Sequence, residues 1–173
     1  DLFEDRGTHG GLDSEMCRRL REEGVQRSHR AAAFFSMSRW EEVIRDCTEN
    51  LHLFDLCNQN ANEEHDRIAL EQFRAPVIAL RTRSAAEWAI ELENTVEAMA
   101  SIDQGLEALR NALGDDWEAS NEAQLLQGMK EALVPRLPTS ERADLQERLA
   151  TAIENENYEL ATILRDEIRL LRD

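Results

Sequence analysis

The chain has few of the residues that break helices or build strands. Its 173 residues include only 7 Gly, 3 Pro, 5 Phe and 1 Tyr, whereas Ala, Leu, Glu and Arg are abundant. Because Gly and Pro interrupt helices and aromatic residues favour strands, this composition argues against a β fold and predicts an all-α one. A chain of this length can hold one domain with a sizeable core, or a helical array with a small appendage.

Positive charge is also scarce. The formal net charge is -16, and Lys130 is the only lysine among the 20 basic residues. Such a chain repels phosphate backbones and acidic membrane surfaces, so we expect neither direct nucleic-acid binding nor membrane binding. The partners are therefore expected to be proteins.

The sequence also lacks long apolar runs and a signal-peptide pattern, and its number of cysteines is odd. No stretch approaches the ~20 apolar residues of a membrane span. Cys17, Cys47 and Cys57 cannot all form disulfides within the chain, which favours reduced thiols and a cytoplasmic location. The chain begins at Asp1 without Met, and glycines interrupt its start. We therefore expect residues 1–12 to be a flexible N-terminal segment of an excised or processed piece.

Apolar periodicity and turn residues predict a helical domain over residues 13–134. The predicted helices span about residues 13–36, 39–59, 63–92, 95–113 and 120–133. Pro76 is expected to bend the third helix, and Asn94 to cap the fourth. Trp40, Trp88 and Trp117 are expected to be packing anchors between helices.

Internal similarity indicates that these helices repeat. Residues 89–98 and 152–161 share the pattern Ala-Ile-Glu-x-Glu-Asn and a final Ala. The segment 31–47, with Trp40 where an aromatic is common, resembles the middle of a tetratricopeptide repeat. Its repeat spacing is longer than the family's, and the usual terminal Pro is absent. The resemblance implies antiparallel helical hairpins stacked in a tetratricopeptide-like array, and an irregular helical bundle is the alternative.

The last part of the chain reads as a separate helical hairpin. Pro135 and Pro138 indicate a linker over residues 135–138, and two amphipathic helices joined by an acidic, Asn-rich turn follow over residues 139–173. Two short helices cannot bury their apolar stripes well against one another alone. We therefore expect this hairpin to pack on another one, in its own chain or in a second molecule.

Specific residues of this hairpin carry a family resemblance. The first helix supplies Leu145, Leu149, Ala152 and Ile153, and the second supplies the patterns Tyr158-Glu-x-Ala161 and Leu164-Arg-Asp-x-Ile168. These residues closely resemble the UVR motif, a helical hairpin named after the excision-repair proteins UvrB and UvrC and also found in bacterial stress-protease regulators. Thr162 departs from the second Ala that is common in the family. The upstream stretches 71–74 and 80–83 also resemble a group of bacterial, planctomycete proteins that carry this motif.

The resemblance implies protein–protein docking by hairpin-on-hairpin packing, and it implies neither nuclease nor helicase activity. The residues expected to bind a partner are Leu145, Leu149, Ala152, Ile153, Tyr158, Ala161, Leu164, Arg165, Asp166 and Ile168. Alternatively, the hairpin caps the helical array of its own chain.

A second candidate site is basic. Arg67, Arg74 and Arg81 recur every seven residues, so they share one face if the third helix is continuous. Such a face could line a groove that receives acidic side chains or a C-terminal carboxylate. The alternative is that these arginines pair with acids on neighbouring turns or helices.

Catalytic and metal-binding patterns are incomplete. Glu49-x-x-His52 occurs once, whereas a carboxylate-bridged di-iron bundle needs that element twice. Cys47, His52 and Cys57 are five residues apart and diverge around a helix, so they do not converge on a metal. The sequence also has no Gly-rich phosphate loop. We expect no enzyme activity, no metal and no cofactor.

These observations predict a non-catalytic adaptor between proteins, which docks through the C-terminal hairpin and the arginine-lined groove. A homodimer through the hairpin is one form of this hypothesis. The alternatives are a regulatory module associated with DNA excision repair or stress-protease machinery, and an enzyme with a site inside a helical bundle.

Overall fold

The computed structural model describes residues 11–134, 141–155 and 157–170, and every regular element in these ranges is helical. The α-helices are α1 (Ser14–Ser36), α2 (Trp40–Asn60), α3 (Glu64–Ile68), α4 (Arg74–Glu91), α5 (Thr95–Leu113), α6 (Asn121–Leu133), α7 (Glu141–Glu154) and α8 (Tyr158–Leu170). Short 3-10 turns cover Glu71–Phe73 and Gly114–Ala119. The chain divides into two compact units between residues 135 and 136. The predicted linker 135–138 and residues 1–10 lie outside the described residues. Leu12 belongs to the segment predicted to be flexible, yet its N–H donates to the Asn60 carbonyl at 2.7 Å and its carbonyl accepts the Asn62 N–H at 2.9 Å, so the prediction was wrong for this residue.

In the first unit, three helices begin where the sequence places a capping side chain. The Asp13 carboxylate accepts a hydrogen bond from the Met16 backbone N–H at 2.8 Å, and the Asn94 side chain accepts one from Glu97 at 3.0 Å. The Ser120 hydroxyl accepts the N–H of Ala123 at 3.1 Å. Each cap satisfies one of the backbone donors that a helix leaves open at its first turn, which fixes where the helix starts.

The region predicted to be one bent helix is interrupted. α3 ends at Ile68, a 3-10 turn follows, and α4 starts at Arg74. Pro76 lies in the first turn of α4, where its missing N–H would have no partner within the helix. The prediction of a continuous helix over residues 63–92 was therefore wrong, since this proline helps to begin a helix instead of bending one.

The long helices of the first unit pack mainly on their neighbours in the sequence. α1 packs on α2, α2 on α4, α4 on α5 and α5 on α6, and α4 also contacts α6. The largest fully buried apolar side chains of this unit are Val43, Ile102, Leu109 and Leu126. One core therefore runs through these helices, and a tetratricopeptide-like stack stays a prediction.

Two buried carboxylates connect α1 to the elements beside it. Asp46 on α2 accepts hydrogen bonds from Arg30 Nε at 2.5 Å and Arg30 Nη2 at 2.8 Å. Asp66 on α3 accepts one from the Ser14 hydroxyl at 2.7 Å and pairs with Arg21. A buried carboxylate needs such partners because desolvation would otherwise be costly. These contacts hold the first three helices together.

Acid is expected to weaken the contact made by Asp66. The hydrogen bonds from Arg21 and from Ser14 hold the pKa of this carboxyl below its ordinary value. Because the pKa of this carboxyl is lower in the folded protein than in the unfolded one, its ionisation stabilises the fold. This stabilisation is complete above the unfolded pKa of about 3.9 and is lost as the pH falls through the folded pKa. The Asp66→Asn variant should therefore be less stable than the wild type at neutral pH, and the difference should shrink on acidification below about pH 4.

Urea denaturation followed by circular dichroism at several pH values measures this difference. Asp115→Asn is the matched control, because Asp115 is an exposed acid of the same chain. A difference between wild type and Asp66→Asn that stays constant from neutral pH to pH 3 would contradict the assigned role of this carboxylate.

Candidate docking surface of the C-terminal hairpin

The two helices of the second unit close a small apolar seam between them. Leu145 and Ala152 on α7, and Ala161 and Leu164 on α8, are buried, and Leu149 and Ile168 pack against them. On each helix these residues are three, four or seven positions apart, the spacing of one helical face. Six of the ten predicted partner-binding residues therefore pack on one another inside the hairpin.

Two asparagines form hydrogen bonds in the turn between α7 and α8. The Asn155 N–H donates to the Thr151 carbonyl at 3.0 Å, which continues the end of α7. The Asn157 N–H donates to the Ala152 carbonyl at 2.8 Å, and the Asn157 side chain accepts the N–H of Leu160 at 3.2 Å. Asn157 thus closes one helix and caps the next, which lets the chain reverse within a few residues.

Within the described residues of the hairpin, four large apolar side chains stay exposed. We call them the outer apolar set: Ile153, Tyr158, Leu160 and Ile163. Successive residues of an α-helix are rotated by about 100°, which places Leu160 and Ile163 on one side of the buried stripe of α8 and Tyr158 on the other. Ile153 and Tyr158 are among the residues predicted to bind a partner, whereas the Leu160–Ile163 pair was missed, although its i, i+3 spacing is present in the sequence.

The two charged residues of the predicted partner surface are also exposed. Arg165 and Asp166 are neighbours on α8 and form an ion pair, with Arg165 Nη2 at 3.3 Å from Asp166 Oδ1. An exposed pair of this kind contributes at most about 1 kcal/mol to folding. Both side chains are therefore available to a partner at little cost.

The predicted arginine face is not present as one face. Arg67 belongs to α3 and donates from Nε to the Ala61 carbonyl at 2.7 Å, so it does not line the groove beside α4. The interruption between α3 and α4 breaks the seven-residue recurrence that the prediction required. The prediction that Arg67, Arg74 and Arg81 share one helical face was therefore wrong.

Arg74 and Arg81 do line a common open groove among α2, α4 and α5, with a volume of about 560 Å³. Arg74 pairs with Asp55 at 2.8 Å and with Glu71 at 2.6 Å. Within the part of the chain that the structure describes, Arg81 makes no ion pair. Arg81 is thus the cation of this groove that an incoming carboxylate could engage without displacing an acid of the protein.

The cysteines are buried and have no disulfide partner. Burial raises the pKa of the Cys47 thiol to about 12 and that of Cys57 to about 11, and it also raises the pKa of Cys17. A thiol with such a pKa is protonated at neutral pH and is a poor nucleophile or metal ligand. Within the described ranges, no three His, Cys, Asp or Glu side chains are grouped as a metal site would need.

The tryptophans differ in their surroundings. Trp40 packs edge-to-face on Phe35 with ring centroids 5.3 Å apart, and Trp117 packs against the main core. Trp88 instead lines a surface groove and is 39% exposed, so its role as a packing anchor between helices stays a prediction. Among residues 11–134, 141–155 and 157–170, no helix combines the length and the apolar character needed to cross a membrane.

Comparison with known families bears on the hairpin. A family model described as the UvrB/uvrC motif matches residues 139–173. No curated protein and no solved structure is similar enough to this chain to count as a match. Because the family match starts at residue 139, the tetratricopeptide-like and planctomycete resemblances of the upstream region stay predictions. The resemblance of the last two helices is confirmed: the chain carries a UVR motif at residues 139–173.

Proposed function

We propose that this protein is a non-catalytic adaptor that binds another protein through the outer apolar set of its UVR hairpin. The observation that carries the proposal is the division of apolar residues in α7 and α8. One stripe on each helix closes the seam, and Ile153, Tyr158, Leu160 and Ile163 remain exposed. UVR motifs are known from DNA-repair proteins and from protein-interaction contexts, which supports the same role.

The energetics favour a contact centred on Leu160 and Ile163. A large apolar side chain stabilises a complex by about 1.5–3 kcal/mol when it becomes fully buried. A hairpin of this size offers few other sources of binding energy to offset the loss of translational and rotational freedom on association. Arg165 and Asp166 are expected to orient the partner more than to tighten its binding.

Charge favours a protein partner over a nucleic acid. The segment 139–173 contains 5 Arg and 9 acidic residues, a net charge of -4. Phosphate backbones are repelled by such a surface. The proposed occupant is therefore a second helical hairpin with an exposed apolar face, supplied either by a different protein or by a second copy of this chain.

A second contact is proposed at the groove among α2, α4 and α5, where Arg81 would receive an acidic side chain or a C-terminal carboxylate.

The proposal that the protein is not an enzyme rests on its protonated buried thiols and on the absence of a complete catalytic pattern in its sequence.

Affinity purification with mass spectrometry tests the main proposal. Leu160→Ser/Ile163→Ser should reduce the recovery of hairpin-dependent partners about tenfold, because it removes the apolar centre of the contact but leaves the seam intact. Ile68→Ser is the matched control, since Ile68, like Ile163, is an exposed isoleucine, and it lies on α3 of the other unit. Arg81→Ala tests the groove in the same experiment.

An unchanged partner list for Leu160→Ser/Ile163→Ser, with the hairpin still folded by circular dichroism, would contradict docking through these residues. Sedimentation equilibrium of the same proteins separates the two forms of the proposal. A wild-type dimer that the double variant converts to a monomer identifies the second copy as the partner, and a wild-type monomer leaves a different protein in that role.

The alternative form of this function is a regulatory module associated with DNA excision repair or with stress-protease machinery. The description of the matching family favours this alternative, since it names UvrB and UvrC. The partner list distinguishes it: recovery of repair subunits or protease components that depends on Leu160 and Ile163 would support this narrower function.

A further inference from the structure

A second apolar surface lies in the first unit, where α4 turns into α5. Ile44 of α2, Ala85, Trp88 and Leu92 at the end of α4, and Ser101 of α5 line a groove of about 320 Å³. Trp88 is 39% exposed and Leu92 is 67% exposed. Single exposed apolar residues are common on proteins, but here two large ones, four positions apart, line the same concave surface.

Acidic residues flank this groove on α4 and α5, whereas Arg45 on α2, next to Ile44, is paired with Asp46. From residue 84 to residue 109 the chain has no Arg or Lys, and its acidic residues there are Glu87, Glu91, Glu93, Glu97, Asp103 and Glu107. Glu97 lines the groove itself, Glu91 is exposed at the end of α4, and Glu93 is exposed in the turn that follows. Within the described part of the chain, these three carboxylates accept no hydrogen bond and form no ion pair. Their negative potential is therefore not neutralised locally.

The turn between α4 and α5 holds the apolar groove and its carboxylates in place. Glu93 has a positive φ of 59°, and the Asn94 N–H donates to the Ala89 carbonyl at 2.8 Å, which closes the C-terminal end of α4. The Asn94 side chain then caps α5 by accepting the N–H of Glu97 at 3.0 Å. A closed helix end followed directly by a capped helix start leaves little freedom, so the apolar groove and its acidic rim are preorganised for binding.

We propose that this groove binds a segment of a partner protein that presents apolar side chains next to lysines or arginines, as one face of a basic amphipathic helix does. Trp88 and Leu92 supply the apolar contact, and Glu91, Glu93 and Glu97 attract the cations. A second copy of the chain is a poor occupant, because each copy carries a net charge of -16. Residues 1–10 of the chain are disfavoured by their own three acids against one Arg. This proposal does not depend on the function proposed for the hairpin.

Nuclear magnetic resonance titration of the whole ¹⁵N-labelled protein with two synthetic peptides tests the proposal. One peptide is an amphipathic helix of leucine and lysine about four turns long, and the other has serine in place of every leucine and the same charge. At physiological ionic strength the leucine peptide should bind about tenfold more tightly. Its chemical-shift changes should centre on Ile44 and on residues 85–97, and the indole N–H of Trp88 should report directly.

Substitutions locate the contact. Leu92→Ser should weaken binding of the leucine peptide about fivefold or more, since it removes the most exposed apolar side chain of the groove. Leu125→Ser is the matched control, because Leu125 is an exposed leucine on α6 that does not line the groove, and it should leave binding unchanged. Glu97→Gln should weaken binding and make it less dependent on salt.

Several results would overturn the proposal. Equal binding of both peptides, or shifts spread over the acidic surface, would show attraction by charge alone. An unchanged affinity of Leu92→Ser would remove the groove as the site. Self-association of the wild type that Leu92→Ser abolishes would make a second copy the occupant, and shifts of the same residues on addition of phosphatidylcholine vesicles would make it a lipid surface.

Discussion

Replacing Gly105 by alanine is expected to lower the free energy of unfolding of the first unit by about 2 kcal/mol. A Cβ at Gly105 would overlap Thr82 Oγ1 and Cγ2 and would stand 2.7 Å from Thr82 Cβ. Thr82 is buried and β-branched, so its side chain has little freedom to rotate away. Overpacking of this kind costs about 1–3 kcal/mol, and the clash with Cβ places Gly105 at the upper end. The better helix propensity of alanine offsets about 1 kcal/mol of that cost.

Gly128→Ala is the matched control for this substitution. Gly128 lies inside α6 and is exposed, and a Cβ there would meet nothing within 4 Å. The same change of residue should therefore stabilise the protein by about 1 kcal/mol, through helix propensity alone. Urea denaturation followed by circular dichroism measures both variants, and their free energies of unfolding should differ by about 3 kcal/mol.

A double-variant cycle with Thr82→Ala identifies the cause of the Gly105 effect. Alanine at position 82 removes Oγ1 and Cγ2, two of the three atoms that the new Cβ would meet. Gly105→Ala should therefore cost less in the Thr82→Ala background than in the wild type. Equal costs in the two backgrounds would show that the close approach of α4 and α5 at these residues is not what fixes glycine at position 105.

Features that depend on neighbouring residues were predictable from the sequence. Asn94 was predicted to cap α5, and Asp13 caps α1 in the same way, because a capping side chain bonds to a backbone N–H only three residues away. The interruption before α4 was not predictable in the same way. A proline at position 76 fits both a bent helix and the first turn of a new one, and which of these forms depends on contacts with other helices.

Other features of the fold depend on contacts between elements that are distant in the sequence. The need for glycine at position 105 comes from Thr82 on another helix, and periodicity carries no sign of it. Trp88 has the residue type of a core anchor, yet 39% of it is exposed beside a surface groove, because burial depends on which helices pack against it. In the hairpin, helical spacing identified the seam residues together with Ile153 and Tyr158, and it could not separate positions that face the other helix from those that face outward.

The neighbouring residues Leu164 and Ile163 separate folding of the hairpin from its proposed docking. Leu164 is 1% exposed within the seam, and Ile163 is 54% exposed beside it. Truncation of a buried leucine to alanine costs about 2–5 kcal/mol, and the seam has few other buried side chains to compensate. Leu164→Ala should therefore unfold the hairpin at room temperature, whereas Ile163→Ala should change its stability by less than about 1 kcal/mol.

Hydrogen exchange of the whole protein, followed by mass spectrometry, measures this difference at each segment. In Leu164→Ala, the amides of residues 141–170 should lose protection while those of residues 14–133 keep it, because the two ranges belong to separate compact units. In Ile163→Ala, protection should match the wild type while partner recovery falls. If Ile163→Ala instead loses hairpin protection, Ile163 supports the fold itself, and the docking surface must be sought at Ile153 of α7 and at Tyr158 on the other side of the α8 stripe.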